Sequence, residues 1–354
     1  MTARDRLGWS AFFEDQLGEA SPAPQVSRVV EEQRGAYRVA GDFDGCVEVS
    51  GKFRHDARST ADFPAVGDWV CVSASGTERG LIVGRLERRS KISRKAAGRV
   101  VEEQVVAANV DTIFLVTALT EDLNPRRIER YLTVVQEAGA VPVVVLNKTD
   151  LSADAEVAAN AVRARLPFVD VVGVSAKHAH GLESLNAYLT PARTVALIGS
   201  SGVGKSTLVN RLLGHDLLKT AATRAEDGKG RHTTTSRHLV ELPGGALLID
   251  TPGMRELQPW VEEAAVAETF DDITGLAQGC RFSNCEHRTE PGCSVLAAVA
   301  EGALAAERLD HYRDLGREIA FEERKRDKAA AADQKRRWKK IHQAQKALYR
   351  DRDR

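Results

Sequence analysis

The chain lacks net charge: its 50 Lys and Arg are offset by 50 Asp and Glu in 354 residues. A zero total offers a polyanion no long-range attraction. Long apolar runs are missing too. No stretch approaches the roughly 18 uninterrupted apolar residues of a membrane span, and the opening MTARDRLGWSAFF has no apolar core of a signal peptide. A soluble, cytoplasmic protein that makes no membrane contact is therefore expected. Cysteines number five, an odd count, and without an export signal they do not read as a disulfide framework. What is present is 43% apolar and 28% charged, which excludes wholesale disorder. At about 100 to 200 residues per domain, two or three domains are expected.

The zero is cancellation between blocks. Residues 81–99 carry +6 and residues 321–354 carry +7, while the rest is acidic. Each basic block, RLERRSKISRKAAGR at 85–99 and the tail from Arg324, is either a solvated face or a grip on a phosphate backbone, whose binding weakens steeply with salt. In the tail, Trp338, Ile341 and Leu348 fall at roughly helical spacing.

Residues 26–90 contain five short alternating runs separated by Gly, Asp, Ser and Pro: 26–30, 37–40, 46–53, 68–73 and 81–86. That rhythm predicts a small OB-like β-barrel, a fold that commonly carries nucleic acid. Lys52 and Arg54 would share one strand face, and with Phe53 and Trp69 they would form a basic, aromatic binding surface. Cys46 and Cys71 read as small buried side chains. From residue 109 near-continuous apolar runs mostly alternate with helical stretches at 125–138, 153–166 and 205–213, which predicts a parallel sheet covered on both faces.

Gly199-Ser200-Ser201-Gly202-Val203-Gly204-Lys205-Ser206, followed by Thr207, is a phosphate-binding loop between the apolar TVALI and a helical stretch. Backbone N–H groups would wrap the β-phosphate, Lys205 would reach the β and γ phosphates, and Ser206 would ligate Mg²⁺. Asn147-Lys148-Thr149-Asp150 chooses the base, because a carboxylate at Asp150 accepts from guanine N1–H and its 2-amino group, and adenine offers neither. Ser175-Ala176-Lys177 ends the next apolar run, placing the Ala176 N–H against the guanine carbonyl. Asp250-Thr251-Pro252-Gly253 supplies a carboxylate toward Mg²⁺ and a Gly toward the γ-phosphate. The polar segment 228–236 supplies a switch threonine, for which Thr234 is favoured among Thr233, Thr234 and Thr235.

Cys280, Cys285, His287 and Cys293 form a compact set of three thiols and an imidazole, a common structural Zn²⁺ set; an iron–sulfur site or a redox pair is the alternative.

The order of these motifs is circularly permuted, with NKTD and SAK ahead of the phosphate loop and DTPG last. NKTD, SAK, GSSGVGKS, GRHTTT, DTPG and CRFSNCEHRTEPGC together resemble the small ribosomal subunit biogenesis GTPases, the RsgA family, over nearly the whole chain. The resemblance implies an OB-fold, a permuted GTPase and a zinc domain. It also implies binding of the small subunit and its rRNA near the decoding region in late maturation, with GTP hydrolysis stimulated by the subunit. The expected division is an extension at 1–25, an OB-like barrel at 26–95, a permuted α/β GTPase at 100–262 and a helical zinc-binding domain with a basic tail at 263–354, as a monomer. Ras-like enzymes place a water-orienting Gln after D-x-x-G, where this chain has Met254, so His232 beside the switch threonines is the candidate to position water, with Lys205 and Gly253 assisting. An RNA-binding assembly scaffold that uses GTP only as a structural switch is the competing reading, and a phosphate-loop ATPase or kinase is disfavoured by Asp150.

Overall fold

The structure, a computed structural model, describes residues 2–18, 24–33, 35–74, 76–95, 103–120, 123–200, 202–215, 237–250 and 269–317. They fall into two units, one drawn from 1–95 and 103–260 and the other from 96–102 and 261–354.

The first unit begins with two single helical turns, α1 (Ala3–Arg6) and α2 (Ala11–Glu14), then a barrel of β1 (Gln25–Gln33), β2 (Ala36–Gly41), β3 (Gly45–Val49), β4 (Trp69–Ala74) and β5 (Arg79–Arg85). Neighbours run β1-β2-β3-β5-β4, with β4 pairing back onto β1 to close the barrel and β3 parallel to β5. Alternate residues point inward, so Val29, Val39, Val47, Val70 and Ile82 share one dry cluster. Burying side chains of this size contributes about 1.5 to 3 kcal/mol each.

Three expectations for this barrel fail. The run predicted to continue to Phe53 stops at Val49, because the Ser50 hydroxyl accepts from Phe53 N and starts helix α3 (Gly51–Asp56). Lys52 and Arg54 therefore sit on a helix, and Phe53 packs toward the barrel core beside Phe63. Trp69 is fully buried, with Trp9 edge-on at 4.7 Å and Phe13 at 5.9 Å. Its apolar bulk anchors the N-terminal segment and gives no stacking surface to a partner. Cys46 also departs from its expected place: it is exposed, since it occupies an outward position of β3.

A hairpin of β6 (Lys91–Lys95) and β7 (Glu103–Ala108) leads into the α/β sheet. The basic block entering it is largely engaged within the protein. Arg88 pairs with the fully buried Asp68 at 2.7 Å and donates to the carbonyls of Ala61 and Phe63. Arg89 pairs with Asp111, Lys91 with Glu103, and Arg85 donates to Asp62 O and Leu86 O. The described part of this block thus serves as a structural joint within the protein. The tail from residue 318 lies outside the described residues.

The α/β part comprises β8 (Thr112–Ala118), α4 (Pro125–Ala138), β9 (Val141–Asn147), α5 (Ala155–Arg165), β10 (Asp170–Gly173), β11 (Thr194–Ile198), α6 (Lys205–Leu213), β12 (Arg237–Glu241) and β13 (Leu247–Asp250). The order is β10-β9-β8-β11-β13-β12, parallel except for β12. Asn124 caps α4 ahead of Pro125, and Gly139 ends it at φ 74°. Because the parallel strands run the same way, the C-terminal ends of β9, β10, β11 and β13 lie along one edge. That edge is where such sheets bind ligands.

Barrel and sheet join through β12, which pairs antiparallel with β1 at Glu31↔His238 and Glu32↔Arg237. Beside this seam Arg28 is buried under the Trp69 ring at 5.8 Å. Its guanidinium donates to the carbonyls of Leu7, Gly67 and Asn109 and to the Thr194 hydroxyl, linking N-terminal segment, barrel and sheet. Burial pushes it down to about 10, which still leaves it charged at neutral pH.

In the second unit, α7 (Asp271–Ala277), α8 (Ser294–Ala300) and helical residues 306–317 bury Phe270, Ile273, Val295, Leu304, Leu309 and Leu315. The Cys/His loop lies between α7 and α8.

Candidate functional site

Asn147 ends the buried strand β9 with 2% of its surface exposed. Its Nδ2 donates to Val203 O at 2.8 Å, and its Oδ1 accepts from Ala176 N at 3.0 Å. One side chain therefore ties together the phosphate loop, the loop after β10 and its own strand end. Gly204 is required here, because a Cβ at that position would lie 2.3 Å from Asn147 Nδ2. Gly199 is required as well: at φ 155° its Cβ would meet Val116 O at 2.1 Å, so the loop rests on the end of β8.

Lys148 takes a left-handed φ of 64°, which turns the chain so that Thr149, Asp150 and Leu151 form a short 3₁₀ turn. Asp150 Oδ1 accepts from the Ser175 hydroxyl at 2.5 Å, and His178 Nε2 stands 3.7 Å from Oδ2. The Ser175 bond holds the Asp150 carboxyl below its ordinary range, so it presents a charged acceptor. Ser175 also exchanges backbone bonds with His180 at 2.9 and 3.1 Å, closing a tight loop around Ala176 and Lys177.

Lys205 opens α6 and donates from Nζ to the carbonyls of Gly199 and Ser200, both at 2.6 Å, inside the turn of the phosphate loop. Ser206 and Thr207 follow in the first turn of α6. Asp250 ends β13, the strand beside β11 in register Ala196↔Ile249, so it lies next to the strand that leads into the phosphate loop. Ser201, His232, Thr234, Gly253 and Met254 lie outside the described residues.

Two arginines with no sequence signal also belong to this edge. Arg127, in the first turn of α4, donates to the Ser200 hydroxyl at 3.2 Å. Arg211, late in α6, donates from Nε to Ala176 O at 3.1 Å and from Nη2 to Lys177 O at 2.9 Å. Neither stands at a motif position, which is why reading by motif passes over them.

In the second unit the ligand atoms of Cys280, Cys285, His287 and Cys293 all lie within 4.8 Å of one another and could hold a metal ion. Cys280 Sγ is 3.6 Å from His287 Nδ1 and 3.8 Å from Cys293 Sγ, and His287 Nδ1 is 3.4 Å from Cys293 Sγ. Burial lowers the His287 imidazole, favouring the neutral form that ligates. Burial also raises the Cys280 thiol, but the N–H groups of Val295 and Ser294 at the start of α8, together with hydrogen bonds from Cys293 and Cys285, bring the net value down. Desolvation and the neighbouring thiols push Cys285 up to about 11. Three sulfurs this close cannot all ionise without a cation between them, and a metal supplies that charge.

Residues 85–260 match the protein family described as RsgA GTPase. A small ribosomal subunit biogenesis GTPase RsgA of Opitutus terrae is 46% identical, covering 97% of each chain. An RsgA of Oceanobacillus iheyensis is 43% identical over 91% of this chain and 92% of its own. Among solved structures, YjeQ from Thermotoga maritima is similar at a TM-score of 0.63 and 26% identity, covering 84% of this chain and 98% of that one. YloQ, described as a circularly permuted GTPase, is similar at 0.61 and 26%, covering 86% and 98%.

Proposed function

Because the chain belongs to the RsgA GTPase family, we propose that it hydrolyses GTP in the late maturation of the small (30S) ribosomal subunit, with the subunit stimulating the reaction. The Asn147 node carries this reading, since it joins guanine-reading and phosphate-binding elements in the order of a permuted GTPase.

In this proposal Asp150 accepts from guanine N1–H and the 2-amino group, Asn147 and the stem of Lys148 wall the base, and the Ser175–Lys177 loop faces the 6-oxo group. Residues 199–207 wrap the phosphates, and Lys205 spans the β and γ groups. Ser206, Asp250 and Thr234 would hold Mg²⁺, which neutralises charge developing on the transferred group. Gly253 approaches the γ-phosphate. With Met254 in place of a water-orienting Gln, His232 takes that role. For the second unit we propose structural zinc: a tetrahedron with bonds of about 2.3 Å to sulfur and 2.0 to 2.1 Å to nitrogen has edges of about 3.8 and 3.6 Å. Three of the six edges in this structure, 3.8 Å between the Cys280 and Cys293 sulfurs and 3.4 and 3.6 Å from these sulfurs to the His287 nitrogen, support that identity, and all four ligand atoms lie within 4.8 Å of one another.

The proposal extends to a cytoplasmic monomer that contacts rRNA, divided at 1–25, 26–95, 100–262 and 263–354. It is tested by single-turnover GTP hydrolysis with purified small subunits, large subunits or neither, and by ATP in place of GTP. Acceleration by small subunits alone, with GTP alone, is expected. Binding to small subunits without any accelerated turnover would replace the enzyme by an assembly scaffold switched by bound GTP, a reading that Met254 keeps specific.

A further inference from the structure

Guanine is recognised on one side by the Asp150 carboxylate and on the other by backbone N–H groups that must meet its 6-oxo group. The second requirement is the harder to meet with a loop. A peptide's C=O and the following N–H point in opposite directions, so a loop that flips one peptide turns a carbonyl toward the base and repels the oxygen it should bind. Something has to hold the carbonyls of the Ser175–Lys177 loop away from the base.

The structure supplies such a group from an unexpected place. Arg211 lies on α6, the helix that follows the phosphate loop, and its guanidinium bridges Ala176 O at 3.1 Å and Lys177 O at 2.9 Å. The same loop turns its other side to the base-reading residues, with the Ser175 hydroxyl on Asp150 and Ala176 N on Asn147. The loop thus has two faces. Its carbonyls are gathered by Arg211, and the peptide N–H of Lys177, opposed to the Ala176 carbonyl in one plane, is turned away from Arg211.

We propose that Arg211 is a positioning residue for guanine specificity, acting through the Ala176–Lys177 peptide to present the Lys177 N–H to the 6-oxo group, the Ala176 N–H being taken by Asn147. This rests on the guanine-binding reading above. Arginine suits the task because its planar fork reaches two acceptors at fixed spacing, whereas a lysine ammonium serves them one at a time. The arrangement also connects the two halves of the site. The helix whose first turn holds the phosphate-binding Lys205 clamps, near its other end, the loop that reads the base.

The test compares full-length wild type, R211A and R211K in their affinities for GDP, inosine diphosphate and 6-thioguanosine diphosphate, with ADP as the control. Inosine keeps the 6-oxo group and lacks the 2-amino group. The 6-thio compound keeps N1–H and the 2-amino group but presents sulfur, a poor acceptor. R211A is expected to weaken GDP and inosine diphosphate by the same factor, about five- to twentyfold. The penalty that wild type imposes on the 6-thio compound should largely vanish in R211A. R211K, which keeps the charge on an otherwise undisturbed helix, should fall between the two. Equal weakening of all guanine analogues with the sulfur penalty intact, or no weakening at all, overturns the proposal while leaving guanine binding standing. Wild type that fails to prefer GDP over ADP overturns the guanine reading and the proposal with it.

Discussion

The base-reading corner and the Cys/His loop both gather specific chemistry from short loops, yet they are held in different ways. The corner stands on strand ends whose core includes Phe114, Val143, Val145, Val195 and Leu208, all completely buried. Remove Asp150 and that core is untouched. The Cys/His loop is supported by two seven-residue helices, the helical residues 306–317 and a few buried side chains such as Phe270, Ile273 and Val295. Its four ligand atoms gather within 4.8 Å of one another. In the first region the fold makes the site, and in the second the site makes the fold. Substitutions should therefore separate function from stability in one region and merge them in the other.

The largest expected effect is at the metal loop. Structural zinc contributes about 10 kcal/mol or more in small zinc domains near neutral pH. Cys293→Ser, or treatment of the native protein with a strong chelator, is expected to remove bound zinc and abolish amide protection across 269–317. Protection in the β8–β13 sheet should persist. Elemental analysis with hydrogen exchange checks this, and retained protection in 269–317 without metal would erase the contrast between the regions.

Next in size is Asp150→Asn. Replacing an acceptor by an amide leaves guanine N1–H facing a mixed donor, and sites of this kind discriminate by about 10⁴. GTP affinity is expected to fall at least a thousandfold, about 4 kcal/mol, with little change in thermal midpoint. Affinity for xanthosine triphosphate should rise, because its 2-oxo group accepts from the new amide. Titration calorimetry and a melting curve on the same sample test both halves. A large drop in melting temperature would show that the corner, too, is held by its own ligating groups.

Sequence showed the outline of both regions, for a physical reason. Motif residues such as Asn147, Lys205 and Cys280 must be of one chemical type at set spacing, and buried strands must be apolar, so both leave a local record. Pro125–Ala138 and Lys205–Leu213 accordingly coincide with the expected elements. Long-range consequences leave no such record. Trp69 has the same composition signal whether it faces solvent or is buried under Trp9 and Phe13. Arg88 reads as one charge in a basic run until Asp68, twenty residues away, meets it in the interior. Arg211 serves carbonyls more than thirty residues earlier in the chain, and a carbonyl acceptor is the same for every residue type. β12 leaves little strand signal because it is short and polar at its start, yet its antiparallel pairing to β1 is what ties barrel to sheet.

The smallest effect is the sharpest test of how the corner is held. The Ser175 hydroxyl lowers the Asp150 carboxyl from its ordinary value. A carboxylate depressed in the folded state contributes above the unfolded value and loses that contribution as pH falls through the folded one. Guanine binding, which needs the charged form, should follow the same course. Ser175→Ala removes one hydrogen bond to a charged acceptor, about 1.5 kcal/mol, so GDP affinity near neutral pH should fall about tenfold. On acidification the variant should lose affinity at a higher pH than wild type, because its Asp150 protonates earlier. Comparing the two proteins at each pH cancels titrations that they share, including those of the metal loop. Coincident pH profiles would mean that solvent alone sets the Asp150 charge, leaving Ser175 to position the loop backbone.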